Sequence, residues 1–122
     1  MLLGSYFKIE NTEVEGSEHK FGIALNRDHK IYGGHFPGNP VCPGVCSVQM
    51  IRECAERAAG CRLRIDSLQS CRFMAVLTPD NASRLTIVVT LADVQDDRVR
   101  LTAEIRNGAD VCVALKGEFG KH

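Results

Sequence analysis

The densest run of residues able to do chemistry is Tyr32-Gly33-Gly34-His35-Phe36-Pro37-Gly38-Asn39-Pro40-Val41-Cys42-Pro43-Gly44-Val45. Pro37, Pro40 and Pro43 fix φ and stiffen the segment. Gly33, Gly34, Gly38 and Gly44 permit tight turns and close backbone approach. The run therefore holds His35, a side chain that exchanges protons near neutral pH, close to a helix start. Periodicity puts that start near Gly44, with Pro43 just ahead and Gly60 as the stop. The N–H groups of Gly44, Val45 and Cys46 then lack intrahelical partners, and positions 42 and 43 hold no Ser, Thr, Asp or Asn to cap them. Such a start can accept a ligand oxygen. A histidine beside backbone donors suits proton abstraction next to a carbonyl whose oxygen gains charge. The same residues also fit a plain connector, with His35 an exposed loop residue.

The run from Gly34 to Val45 resembles the signature of the hotdog-fold 3-hydroxyacyl-(acyl carrier protein) dehydratases. Histidine, three prolines and helix-start glycine match without a gap. Arg72-Phe73 followed by Leu77-Thr78-Pro79-Asp80 is similar to the family's strand ending in a Pro-Gly-Asp-like turn. The N-terminal motif typical of the fatty-acid-synthesis members is absent, so the resemblance is to a shorter, divergent relative. It implies a single α+β hotdog domain over residues 1–122, an antiparallel sheet of five to six strands wrapped around one central helix. It also implies a homodimer, or a higher oligomer of such dimers, with two active sites at the interface. The substrate would be an acyl thioester on acyl carrier protein, with coenzyme A as the alternative carrier. His35 carries over as the base and the Gly44 amide as the group that polarises the thioester carbonyl. Phe36, Cys42, Pro43, Val45 and Cys46 carry over as oxyanion or substrate contacts. The reaction needs no cofactor, and the sequence holds no metal, nucleotide or flavin motif.

One position departs from the family. Its acidic residue on the central helix, fourteen positions after the histidine, is Gln49 here. In the family scheme, His35 would take the α-proton and the acid would protonate the departing 3-hydroxyl. Glutamine donates and accepts hydrogen bonds but supplies no titratable proton. The second role is then unfilled, or reduced to positioning the hydroxyl or a water. Glu53 is a candidate substitute acid, one turn further on the same face and about 6 Å along the axis. Its ordinary reading is as part of a charged arc with Arg52, Glu56 and Arg57. His29 reads as a surface residue. Cys42 and Cys46 flank the helix start, where thiol pKa values can fall, and read as pocket lining. Three functions follow. The first is dehydration of 3-hydroxyacyl thioesters to trans-2-enoyl thioesters, in fatty acid or polyene biosynthesis. The second is a catalytically weakened acyl-binding or partner subunit. The third is a thioesterase, which needs a carboxylate to activate water and is disfavoured by the same glutamine.

The positioning elements follow from periodicity. Residues 5–14 and 19–27 read as strands, the second with Phe21, Ile23 and Leu25 on one face. Residues 28–43 read as a loop. The helix places Val48, Ile51, Cys54, Ala55 and Ala58 inward. Residues 62–78 read as a long strand, bent or bulged. Residues 83–92, 98–106 and 111–118 complete the sheet, with Asn107-Gly108 as a hairpin turn. The 122 residues allow one domain. Lys and Arg total 15 and so do Asp and Glu, which argues against a nucleic-acid surface. A local patch of Arg62, Arg64, Arg98, Arg100 and Arg106 could still meet an acidic carrier. No 18-residue apolar run suggests a membrane span, and the apolar start is short for a signal peptide. The six cysteines therefore read as reduced thiols in the cytoplasm rather than a disulfide framework.

Overall fold

The computed structural model describes residues 1–34, 41–80 and 83–121. Strands β1 (Phe7–Glu15) and β2 (Glu18–Leu25) form a hairpin that leads to a short helix, α1 (Ile31–Gly34). The long helix α2 (Gly44–Ala59) follows, then β3 (Leu63–Phe73), β4 (Arg84–Val94), β5 (Arg98–Asn107) and β6 (Asp110–Lys121). The six strands form one sheet in the order β1-β2-β4-β5-β6-β3, and every neighbouring pair is antiparallel. Helix α2 lies against β3, β4 and β5. Its Met50, Ile51, Cys54 and Ala55 join Phe21, Ile87, Leu101, Ile105 and Phe119 in a single core. One helix held by an antiparallel sheet is the hotdog architecture.

The helix limits follow from backbone chemistry. Pro43 is extended at φ −61 and ψ 141, and a proline at this boundary forfeits no helical hydrogen bond. Gly60 takes the left-handed conformation at φ 74 and donates its N–H to the Glu56 carbonyl at 2.9 Å, a glycine helix terminus. Gly108 at φ 63 turns the chain between β5 and β6.

Strand ends shift by one to three residues, and two regions differ more from the periodicity. The loop expected over 28–43 contains α1, whose four residues are too few to carry a helical repeat. Strand β3 carries bulges, as expected, between Ile65 and Ser67 and between Leu68 and Ser70, but it leaves the sheet at Phe73 instead of running to 78. The chain beyond it crosses to the start of α2. There the Cys42 N–H donates to the Leu77 carbonyl at 2.7 Å, and the Met74 N–H to the Cys112 carbonyl at 2.8 Å.

The sheet ends in two edges, β1 and β3. The β3 edge and the segment after it expose Ile65, Leu68, Phe73, Met74 and Val76.

Candidate active site

The start of α2 is bare, as its sequence requires. Pro43 supplies no side-chain cap. Its carbonyl accepts the Cys46 and Ser47 N–H groups at 3.0 and 3.2 Å. The N–H groups of Gly44 and Val45 precede these bonds and belong to the turn that a helix cannot pair internally. Gly44 is exposed and Val45 is 75% exposed.

A cavity of about 180 Å³ opens at this start, lined by Cys42, Gly44, Ser47, Phe73, Val76 and Val113 among others. A Cβ on residue 44 would stand 3.2 Å from Phe73 Cζ. Glycine there lets the aromatic ring lie against the first turn. The walls are mostly apolar and the floor is a helix N-terminus, a combination that fits an apolar chain ending in a polar carbonyl. Pro43 is half-buried and Cys46 is buried behind the helix start. His35 and Phe36 lie outside the described residues.

Behind Cys42 sits a ring cluster. Tyr6 packs edge-on against His29 at 5.5 Å and lies tilted against Tyr32 at 5.7 Å. The Tyr32 hydroxyl contacts Cys42 Sγ at 3.5 Å. Burial, then the neighbouring thiol and phenol, push the Tyr6 hydroxyl far above its ordinary range. Its oxygen is enclosed and makes no hydrogen bond of ordinary geometry. His29, expected at the surface, is half-buried in this cluster and accepts the Ile31 N–H on Nδ1 at 3.1 Å. Cys46 is raised too, by burial first and Cys42 second, which fits a lining role better than a nucleophilic one.

Gln49 occupies a different concavity, with Met1, Arg52, Glu53, Glu56 and Arg62. Its Nε2 donates to Glu53 Oε2 at 2.7 Å, and its Oε1 accepts from Arg52 Nε at 3.2 Å. Within one chain, the structure therefore does not bring Gln49 to the cavity at Gly44.

Glu53 is a correction to the sequence reading. It is not part of an exposed charged arc; it is 4% exposed. Oε2 accepts the Leu2 N–H and Oε1 the Leu3 N–H, both at 2.8 Å. The N-terminal segment folds back over the helix and supplies these donors from some fifty residues away. A buried carboxylate is stable there because its oxygens are matched. Arg52 reaches the Leu63 carbonyl at 2.9 Å, and Glu56 accepts the Leu63 N–H at 2.9 Å. This face of α2 is a polar seam stitched to neighbouring backbone.

Most of the arginines expected to form a basic patch carry acidic partners. Arg98 and Arg100 share Glu118, Arg64 pairs with Asp66, and Arg106 pairs with Glu104. Arg62 is left exposed at the Gln49 concavity. All six cysteines are free thiols. Among the described residues, no group of three or more His, Cys, Asp or Glu could hold a metal ion, and no helix is long and apolar enough to cross a membrane.

Residues 11–115 match the model of the ApeI-like family, described as ApeI dehydratase. The chain is 31% identical over 86 residues to the 3-hydroxyacyl-(acyl carrier protein) dehydratase FabZ of Bacillus pumilus, covering 64% of this chain and 60% of that protein. It is 27% identical over 91 residues to the FabZ of Lactobacillus helveticus, covering 69% and 59%. The chain thus spans less than two-thirds of the length of these relatives. Among solved structures, it is similar to a chain of the dehydratase heterocomplex ApeI:P from Xenorhabdus doucetiae, with a TM-score of 0.68 at 16% identity over 93% of this chain and 96% of the other. A thioesterase from Haemophilus influenzae gives a TM-score of 0.66 at 12% identity, over 93% and 76%. These structural likenesses establish the hotdog fold. The family match covers most of the chain, and the chain belongs to the ApeI-like dehydratase family.

Proposed function

We propose that this protein dehydrates 3-hydroxyacyl thioesters to trans-2-enoyl thioesters, with the acyl group carried on acyl carrier protein. The observation that carries the reading is the apolar cavity on the uncapped, glycine-fronted start of α2. The acyl chain takes the apolar walls, and the thioester oxygen takes the Gly44 N–H, with Val45 beside it. His35 removes the α-proton while negative charge moves onto that oxygen. The C3–O bond then breaks, and the hydroxyl leaves as water once it gains a proton. His35 returns its proton to the leaving oxygen, so one base serves both halves of the elimination. Phe36, Cys42, Pro43 and Cys46 shape the site around these groups.

Gln49 holds the departing hydroxyl. Its amide keeps one N–H beyond that given to Glu53. Glu53 anchors the N-terminal segment instead of donating a proton, since its two oxygens already accept three hydrogen bonds. The working unit is a homodimer joined along β3. That edge exposes Ile65 and Leu68, each 39%, next to Phe73 at the cavity, and pairing two such edges would cover them. Gln49 of one copy would then complete the site of the other. Free thiols throughout fit a reducing compartment, the cytoplasm.

The test is hydration of a crotonyl or longer enoyl thioester by the purified protein. Turnover that disappears in His35→Ala supports the reading. Absence of turnover with either carrier, at every chain length, overturns it.

One observation favours a second reading. Both ends of the Gln49 amide are engaged, at the position where the resemblance puts the family's acid. The chain would then be the weaker subunit of a mixed dehydratase; the structural neighbour is itself described as a heterocomplex. Co-purification with an acid-bearing relative, coupled to an inactive homodimer, would favour it.

A further inference from the structure

Among the described residues, tyrosines and cysteines aside, the buried polar or charged side chains are Ser47 and Glu53. Glu53 has its partners. Ser47 is 2% exposed and lines the cavity at Gly44, and its hydroxyl makes no hydrogen bond to another described residue. Nor is that oxygen sealed among packed atoms, for the enclosed, unpartnered side-chain oxygen of the described residues is Tyr6 Oη. The oxygen thus keeps a small opening, and the concavity that its residue lines is the cavity at Gly44. Ser47 follows Gly44 by three residues on α2. Helical side chains lean toward the N-terminus, so residue i+3 overlies residue i. The Ser47 side chain thus leans over the same turn whose Gly44 N–H has no helical partner. The other walls named for this cavity include Phe73, Val76, Leu77 and Val113. An unpaired hydroxyl in such surroundings costs stability unless a ligand pairs it.

We propose that Ser47 Oγ–H is a further donor to the thioester carbonyl oxygen, acting beside the Gly44 N–H. The inference rests on the dehydratase reading and adds a residue to it. The oxygen gains charge when the α-proton leaves. A fixed hydroxyl donor there stabilises the charged state more than the neutral ester. It compensates for part of what the glutamine at position 49 cannot do, by easing proton removal instead of hydroxyl departure.

The test uses Ser47→Ala and Ser47→Thr in the full chain, with circular dichroism to check folding. In wild type, a bound, unreactive butyryl thioester labelled with carbon-13 at the carbonyl should show an infrared carbonyl band at lower frequency than in water. Ser47→Ala should return part of that shift, and Ser47→Thr should keep it. With enoyl substrate, Ser47→Ala should lose roughly tenfold to a hundredfold in kcat, with KM little changed. A bound ester with the same band in wild type and Ser47→Ala overturns the role of Ser47 and leaves the dehydratase reading standing. Failure of wild type to bind any acyl thioester overturns both.

Discussion

Gln49 Nε2 donates a hydrogen bond to Glu53 Oε2 at 2.7 Å, across one turn of α2. The amide at position 49 is therefore engaged within its own helix. It is the neutral partner of a buried carboxylate that also holds the backbone of Leu2 and Leu3. Placing an acid at 49 would set two carboxyl groups within hydrogen-bond distance. Like charges so close cannot both be accommodated. Gln49→Glu should lower stability by about 1–3 kcal/mol at neutral pH. The added pair favours holding a proton in the folded state, so the deficit should shrink as pH falls toward the carboxylate range. Thermal unfolding of wild type and variant across pH reads this directly. A variant as stable as wild type at neutral pH would contradict the tight pairing.

Glu53→Ala should release the N-terminal segment. Two backbone donors lose a buried acceptor, at a cost of about 1–3 kcal/mol. Urea unfolding gives the loss, and hydrogen exchange should quicken at the Leu2 and Leu3 amides while β4 and β5 stay protected.

The cysteines should divide by burial. Burial first, then the Glu53 carboxylate, push the Cys54 thiol up to about 12, and its side chain lies in the core. Cys61, just past the helix, is only half-buried. Thiol-reactive reagents should label Cys61 in the native protein and Cys54 only after unfolding, as peptide mass mapping can show.

Glu118 ties β5 to β6 across the sheet surface. Hydrogen bonds from Arg98 and then Arg100 hold its carboxyl below the ordinary range. A depressed folded-state pKa gives stability above the unfolded value and loses it as pH falls through the folded one. Glu118→Gln should flatten this acid-side loss, and salt should weaken the contribution in wild type because the ions are exposed. Chemical unfolding at two pH values and two salt concentrations measures it.

Much of this architecture is legible in the chain. Pro43 and Gly60 bracket α2 because both act locally on backbone dihedrals. The strands are legible because Leu85, Ile87 and Val89 alternate toward one core. Glu53 is not legible, since its partners are the amides of Leu2 and Leu3, which no helical repeat can reveal. Arg98 and Arg100 read as a basic patch because Glu118 meets them only through strand pairing. At the site, the motif marks Gly44 and Cys42. Ser47 stands inside the same run of helix with no motif to mark it. It is found only when the cavity, its burial and its unpaired hydroxyl are taken together.

The central claim is the elimination itself. Intact-mass measurement of acyl carrier protein loaded with a 3-hydroxyacyl group tests it most directly. Wild type should convert the loaded carrier to a species lighter by one water, and His35→Ala should leave it unchanged. Carrier that keeps its full mass with wild type, across acyl chain lengths and with the coenzyme A thioester as well, would contradict the account.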